Sequence, residues 1–376
     1  MERVLADDFS GAAEVAGVGF RYGLTAMVQL ESRTVPACDL AVLDSDSRSK
    51  STAEAVRLVE SALDQNNWVF KKIDSVLRGH VLGEIQPFLQ SGCFRRALVV
   101  PFNPELGRTI RDGIYRVNGR PISRTLFRDD PEYPALTSDV RAMLGPGAGT
   151  VLICRLLDSV PDTGILVGEG ETPEDLRAWA TRADEHTLPV GGAPFFAAWL
   201  ESRGRKVTRR QWQKARGKVL VVSGTTSQVA DWQSARPDRE VRALPMPEPV
   251  FQGGSHELLT EWVKAVALAL NDTGFAVASI GSGRLLERSQ SARLVEHLAE
   301  LAASVLTRCP VDQLWLEGGA TASAIVRRMG WLSLEVVGEP APGVVQLLPA
   351  PDGPLVVAKP GSYPWGRAGE ARWAER

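Results

Sequence analysis

The chain has 376 residues, more than one hydrophobic core usually serves, so two domains are expected. Apolar residues make up 44% and charged residues 23%, ordinary values for a soluble globular protein. A formal net charge of −2 gives no global reason to expect nucleic acid or a charged membrane as partner.

In chain order, a short apolar run, a polar Gly/Ser/Asp loop and an amphipathic stretch recur. The first copy is Val4–Ala6, the loop Asp7-Asp8-Phe9-Ser10-Gly11 and the small-residue stretch Ala12–Gly19. The second is Leu40–Leu43, Asp44-Ser45-Asp46-Ser47-Arg48 and Thr52–Asn66, and the third is Trp68–Lys71, Ile73-Asp74-Ser75 and a helix over Val76–Leu89. A fourth strand, Ala97–Val100, runs into Pro101-Phe102-Asn103-Pro104. Residues 104–150, rich in Arg, Pro and Gly, read as an extended or irregular insertion. Thr172 is placed to cap a helix reaching Arg182, with Pro173 in its first turn. An apolar helix over Phe195–Leu200 follows, and the basic run Glu201–Lys218 reads as the linker, a solvated face rather than a nucleic-acid site.

Beyond it, strands are expected at Val219–Val222, Ala276–Ile280, Gln313–Leu316 and Leu355–Ala358, with helices over Leu285–Cys309 and Ala322–Met329. The fold class is therefore α/β in two domains, residues 1–210 and 211–376, each a mostly parallel sheet flanked by helices. In such sheets ligands bind at the carboxyl ends of the strands, where every polar loop named here lies.

Three loops of the second domain suit a polyanion. Gly318-Gly319-Ala320-Thr321 opens a helix whose first N–H groups lack intrahelical partners, so it is either a phosphate cradle or a tight turn that binds nothing. Ser223-Gly224-Thr225-Thr226-Ser227 offers more hydroxyls, for a ligand or for a cap, and Lys359 stands beside Gly361-Ser362. None is a Walker A motif.

In the first domain, Asp7 and Asp8 end a strand and point to opposite faces, so that either one takes a substrate hydroxyl while the other caps, or both are caps. A carboxylate that accepts a hydroxyl proton assists phosphoryl transfer to an alcohol. Around Lys71–Gly79, Lys72 and Arg78 are candidates to clamp a carboxylate, with Arg48 a further one. Asp74 and Ser75 would bind sugar hydroxyls or cap the helix. Cys38, Cys93, Cys154 and Cys309 form no CxxC pair and read as buried, reduced thiols. His80, His186, His256 and His297 show no metal spacing, and no protein metal site is expected. MERVLADDFSG lacks a basic region followed by an apolar run, and no stretch approaches a bilayer span, so a cytoplasmic protein is expected.

At Ala6–Ala12, Lys71–Gly79, Ser223-Gly224 and Gly318–Ala322 the sequence resembles the four-carbon acid sugar kinase family, in the right order over nearly the whole chain. The resemblance implies a sugar-acid domain and an ATP domain facing each other across a cleft that holds the active site, with closure on ligand. It implies substrate contacts from Asp8, Arg48, Lys72, Asp74, Ser75 and Arg78, with Asp8 or Asp74 acting on the hydroxyl and Asp7 beside them. It implies nucleotide contacts from Ser223, Gly318, Gly319, Thr321, Lys359 and Gly361, and ATP with Mg2+ as cofactors. No nucleic-acid or membrane partner is expected, and homodimerisation stays open. Two departures stand out. The family commonly has an acid where this chain has Ala320, and Lys-Ser-Gly-Gly-Phe-Gly where this chain has Lys359-Pro360-Gly361-Ser362-Tyr363-Pro364-Trp365-Gly366. Tyr363 and Trp365 either pack on a base or belong to a core. The alternatives are a non-catalytic sugar-acid or nucleotide sensor and, more weakly, a phosphatase using Asp44 and Asp46.

Overall fold

The computed structural model describes the chain apart from residues 32–36, 65–66, 131, 209, 211, 214–215, 226–240, 255, 282–283, 285–287, 350–352, 362, 364 and 366–376. The chain divides into two units, residues 1–25 with 31–208 and residues 26–30 with 209–376.

The first unit begins with β1 (Glu2–Ala6) and α1 (Phe9–Arg21). After β2 (Ala26–Gln29), which belongs to the second unit, come β3 (Leu40–Asp44), α2 (Thr52–Ala62), β4 (Trp68–Lys72), α3 (Val81–Gln90) and β5 (Arg96–Val100). The strands β6 (Arg108–Arg111), β7 (Ile114–Val117) and β8 (Arg120–Pro121) form a small antiparallel sheet, followed by α4 (Val140–Leu144). Then follow β9 (Leu152–Cys154), β10 (Gly164–Gly168), α5 (Pro173–Ala180), β11 (Thr187–Gly191) and α6 (Ala193–Ser202). Among the described residues the main sheet of this unit runs β3-β1-β4-β11-β5-β10-β9, all parallel. Its strands are apolar runs because helices cover both faces. Phe70 of β4 packs against Phe196 of α6 with ring centroids 5.1 Å apart, and α1 lies so close that a Cβ on Gly19 would overlap Leu40. The chain leaves β1 towards β3 on one side, then crosses to β4 on the other, so the two strands flank a crevice at their carboxyl ends.

In the second unit β12 (Val219–Ser223), β13 (Arg242–Pro245), β14 (Phe275–Ser279) and β15 (Gln313–Glu317) precede β16 (Ser333–Ala341), β17 (Val344–Pro349) and β18 (Leu355–Lys359). Helices His256–Thr273, Arg288–Arg308 and Gly319–Arg328 connect them. The order β13-β14-β12-β15-β18 is parallel, and β17, β16 and β2 extend it antiparallel. Val219, Val221, Phe275, Val277, Trp315, Val344 and Val357 form one apolar cluster. Here the reversal of strand order falls between β12 and β15. Their register, continued to both neighbours, sets Ser279, Ser223, Glu317 and Lys359 in one row at the carboxyl edge.

Several local expectations are corrected. The helix expected over Val76–Leu89 begins only at Val81, because Leu77 (φ 63°) and Gly79 (φ 92°) take left-handed backbone that no helix continues through. Asp74 therefore caps a turn, accepting from the N–H groups of Val76 and Arg78, rather than a helix. The insertion over residues 104–150 contains β6 to β8 and α4. Thr172 does cap α5, in a reciprocal capping box with Asp175. Cys154 and Cys309 are buried, whereas Cys93 is exposed.

Candidate active site

The loops after β1, β3 and β4 build one charged network in the first unit. Ser47 and Arg48 both donate their backbone N–H to the carbonyl of Asp7, which clips the β3 loop onto the end of β1. Arg48 then spreads its guanidinium over two aspartates. Nε and Nη2 donate to the two oxygens of Asp7, each at 2.9 Å, and Nη1 donates to Asp8 Oδ2 at 2.7 Å. Asp8 is also the cap of α1, accepting from Gly11 N–H at 2.8 Å and Ser10 Oγ–H at 2.7 Å. Glycine is needed at position 11, where a Cβ would lie 2.7 Å from Asp8 Oδ1 and 2.9 Å from Lys72 Nζ.

Asp74 is held by Arg78, whose Nη2 and Nε reach its two oxygens at 2.8 and 3.0 Å, while Arg78 Nη1 donates to Asp130 at 2.9 Å. Beneath, Lys71 pairs with Glu84 at 2.5 Å with both side chains fully buried, and Ser47 donates to the same carboxylate. Lys72 Nζ donates to the carbonyl of Ile73 and lies 3.5 Å from Glu14.

The electrostatics follow from this packing. Burial works against the charge on Asp7, but Arg48, then Lys71 and Lys72, outweigh it and hold the carboxyl below the usual carboxylate range. Burial likewise opposes ionisation of Asp74, and Arg78 with Arg48 overcomes it, so that carboxyl is held far below the usual range. Desolvation opposes the charge on Arg48 and Arg78, both partly buried, but they are kept protonated chiefly by Asp7 and Asp74 respectively. Of the three aspartates, Asp8 shows most side chain to solvent, 15% against 3% for Asp7 and 8% for Asp74.

The insertion sends side chains into this network that the sequence did not single out. Arg108 Nη1 donates to Ser75 Oγ at 2.5 Å, Tyr115 donates its hydroxyl proton to the Ser75 carbonyl at 2.5 Å, and Tyr133 donates to the carbonyl of Arg48. Their one signal was an arginine-rich, aromatic-bearing segment read as irregular. Asp44, considered as a nucleophile, instead accepts the N–H of Asp46 at 2.8 Å within the β3 loop, while Asp46 lies 3.3 Å from Lys50.

In the second unit the three expected loops converge. A Cβ on Gly361 would sit 2.8 Å from Thr225 Cγ2 and 3.7 Å from Gly318 Cα, and one on Gly224 would overlap Thr321 Oγ1. Gly318, at φ 101°, turns the chain into the helix Gly319–Arg328, placing that helix's first N–H groups at this junction. Thr226 and Ser227 of the β12 loop, and Ser362, Pro364 and Gly366 of the last loop, lie outside the described residues. Lys359 is buried rather than solvated: its ammonium meets Glu317 at 2.6 Å, and Ser223 Oγ donates to the other Glu317 oxygen at 2.8 Å. Burial pulls the lysine below its ordinary range, partly offset by Glu317. Trp365 stacks on Trp315, and Tyr363 packs on Gly343.

Among the described residues no cluster of three His, Cys, Asp or Glu side chains forms a metal site, and no helix is long and apolar enough to cross a membrane. The first-unit network gathers carboxylates, cations and a serine hydroxyl at one strand edge, a chemistry suited to polyhydroxylated ligands. The second-unit junction, where the helix Gly319–Arg328 begins without a side-chain cap among the described residues, suits an anion.

Comparison with known proteins agrees with this division. Residues 3–199 match the family described as a sugar-binding N-terminal domain, and residues 220–363 the one described as a nucleotide-binding C-terminal domain. The D-threonate kinase of Salmonella typhimurium is 24% identical over 90% of this chain and 89% of its own. The 3-oxo-tetronate kinase of Brucella melitensis is 26% identical over 91% and 88%. Among solved structures, a Salmonella typhimurium protein superposes with TM-score 0.78 at 18% identity, covering 100% of this chain and 98% of that one. A Haemophilus influenzae protein does so with TM-score 0.69 at 18% identity, covering 96% and 97%, which shows a shared fold. With both of its halves matched, the chain belongs to the four-carbon acid sugar kinase family.

Proposed function

We propose that the chain is an ATP-dependent kinase that phosphorylates a hydroxyl of a small sugar acid, of four carbons or closely related. The observation that carries this reading is the state of Asp8. It is the most open of the three aspartates, and Arg48, Ser10 and Gly11 fix its direction. In the proposal Asp8 accepts the proton of the attacking hydroxyl, as phosphoryl transfer to an alcohol requires. Asp74 was a second candidate for that role, but it is less open than Asp8 and its carboxyl, held far below the usual range by Arg78 and Arg48 against its burial, is a poor proton acceptor. Asp7 and Asp74 instead hold Arg48 and Arg78, while Ser75 and Lys72 line the substrate side.

ATP would bind at the second-unit junction through Ser223, Gly318, Gly319, Thr321 and Gly361, with Lys359 behind them in its pair with Glu317. The fit rests on the first N–H groups of the helix Gly319–Arg328, which no side chain among the described residues caps and which Gly318 turns to the junction. Magnesium, where bound together with the ATP, would supply charge neutralisation. A kinase needing ATP works where ATP is made available, and we place this one in the cytoplasm.

The test is ADP release with ATP and magnesium over threonate, erythronate, their 3-oxo forms and branched relatives. Turnover on one acid, lowered roughly 100- to 10,000-fold by Asp8→Asn, is the expected result. Equal turnover by Asp8→Asn and wild type would remove Asp8 from the chemistry. A sensor that binds without turnover is the second reading, favoured by the Glu317–Lys359 pair, which already neutralises the lysine at the junction. ATP raising the melting temperature with no ADP released over the panel would select it.

A further inference from the structure

The cations first offered for the substrate's carboxylate already face internal carboxylates: Arg48 meets Asp7 and Asp8, Arg78 meets Asp74 and Asp130, and Lys72 stands by Glu14. The contact at Ser75 differs in kind. A guanidinium can only donate, so in the Arg108–Ser75 bond the serine oxygen accepts, and its own proton must go elsewhere. Ser75 is buried, and among the described residues no atom accepts that proton. Tyr115 holds the backbone of Ser75 through its carbonyl. Arg108 is fixed as well. Its backbone N–H and C=O both bond to Asn103 at 2.9 Å, and its guanidinium lies 5.4 Å from the ring centre of Phe127.

A hydroxyl compelled to donate, backed by a buried guanidinium whose charge also reaches Asp74, is complementary to an anionic oxygen. We propose that Ser75 and Arg108 form the subsite for the substrate's carboxylate, with Arg108, supplied by the insertion, the residue that makes the enzyme select an acid over its uncharged counterpart. This rests on the kinase reading. Ser75 donates to one carboxylate oxygen, and Arg108 fixes the polarity of that hydroxyl while adding charge behind it.

The test compares each four-carbon acid that the wild type phosphorylates with its primary amide, which keeps the hydroxyls and removes the charge. For Arg108→Met the KM for the acid is expected to rise roughly 10- to 100-fold, the cost of losing a charged hydrogen bond, while the KM for the amide moves far less. Arg108→Lys, which keeps charge but not the planar fork, should recover part of the discrimination. Ser75→Ala, a smaller perturbation, decides the matter if Arg108→Met does not fold, and should raise the acid's KM selectively. Equal changes for acid and amide in the variants, or an unchanged acid KM, would overturn the assignment with the kinase reading intact. A wild type that phosphorylates no acid would overturn both.

Discussion

Replacing Arg48 by methionine keeps a long apolar stem but removes the cation that Asp7 and Asp8 share. The lost contacts are three hydrogen bonds of 2.7 to 2.9 Å among side chains 16%, 3% and 15% exposed. Breaking a buried pair by deleting one partner costs about 3 to 5 kcal/mol. Asp8 can recover some hydration, so the lower end, about 3 kcal/mol, is expected. The pH dependence identifies the cause. In the wild type the Asp7 carboxyl is held below its unfolded value, so it contributes stability above that value, which is lost as the pH falls through the folded one. In the variant burial faces only Lys71 and Lys72, so the folded value rises and ionised Asp7 becomes a burden at neutral pH. The gap between the two proteins should thus be widest near about pH 7 and close as the pH falls through about 5 to 3. Urea unfolding at both ends of that window, followed by proteolysis within residues 40–80, reports the first unit by itself. An equal gap at both ends would refute the electrostatic account and leave only lost packing.

Two further expectations concern other parts of the chain. Gly361→Ala places a methyl group 2.8 Å from Thr225 Cγ2, and ATP affinity measured by calorimetry should fall by about 1.4 kcal/mol, a factor of ten; unchanged affinity would separate this loop from the nucleotide. Thr172→Ala breaks the capping box of α5 and should cost about 1 kcal/mol, seen as faster amide exchange over residues 174–176. Exchange at the wild-type rate there would mean the cap contributes nothing.

The sequence alone was enough to place most strands of the two parallel sheets and the loops at their carboxyl ends. Each of these strands is a short apolar run that gives way to a loop of polar, Gly or Pro residues, and a parallel sheet covered on both faces leaves such runs few other places. Asp7, Asp8, Arg48, Asp74 and Arg78 could therefore be placed in loops at the carboxyl ends of strands, and the family resemblance grouped them; that β1, β3 and β4 end side by side came from the fold. The β16–β17 hairpin and the pairing of β2 with β16 were not legible, because strand partners depend on which edges remain open after the chain folds. Partnership within the site was equally hidden. Every candidate cation looked equally ready to meet a substrate, and only folding decided that Arg48 and Arg78 would meet aspartates and that buried Lys359 would meet Glu317. Arg108 and Tyr115 escaped notice for the same reason. They lie 33 and 40 positions from Ser75, and no local periodicity reports a contact made across that length of chain.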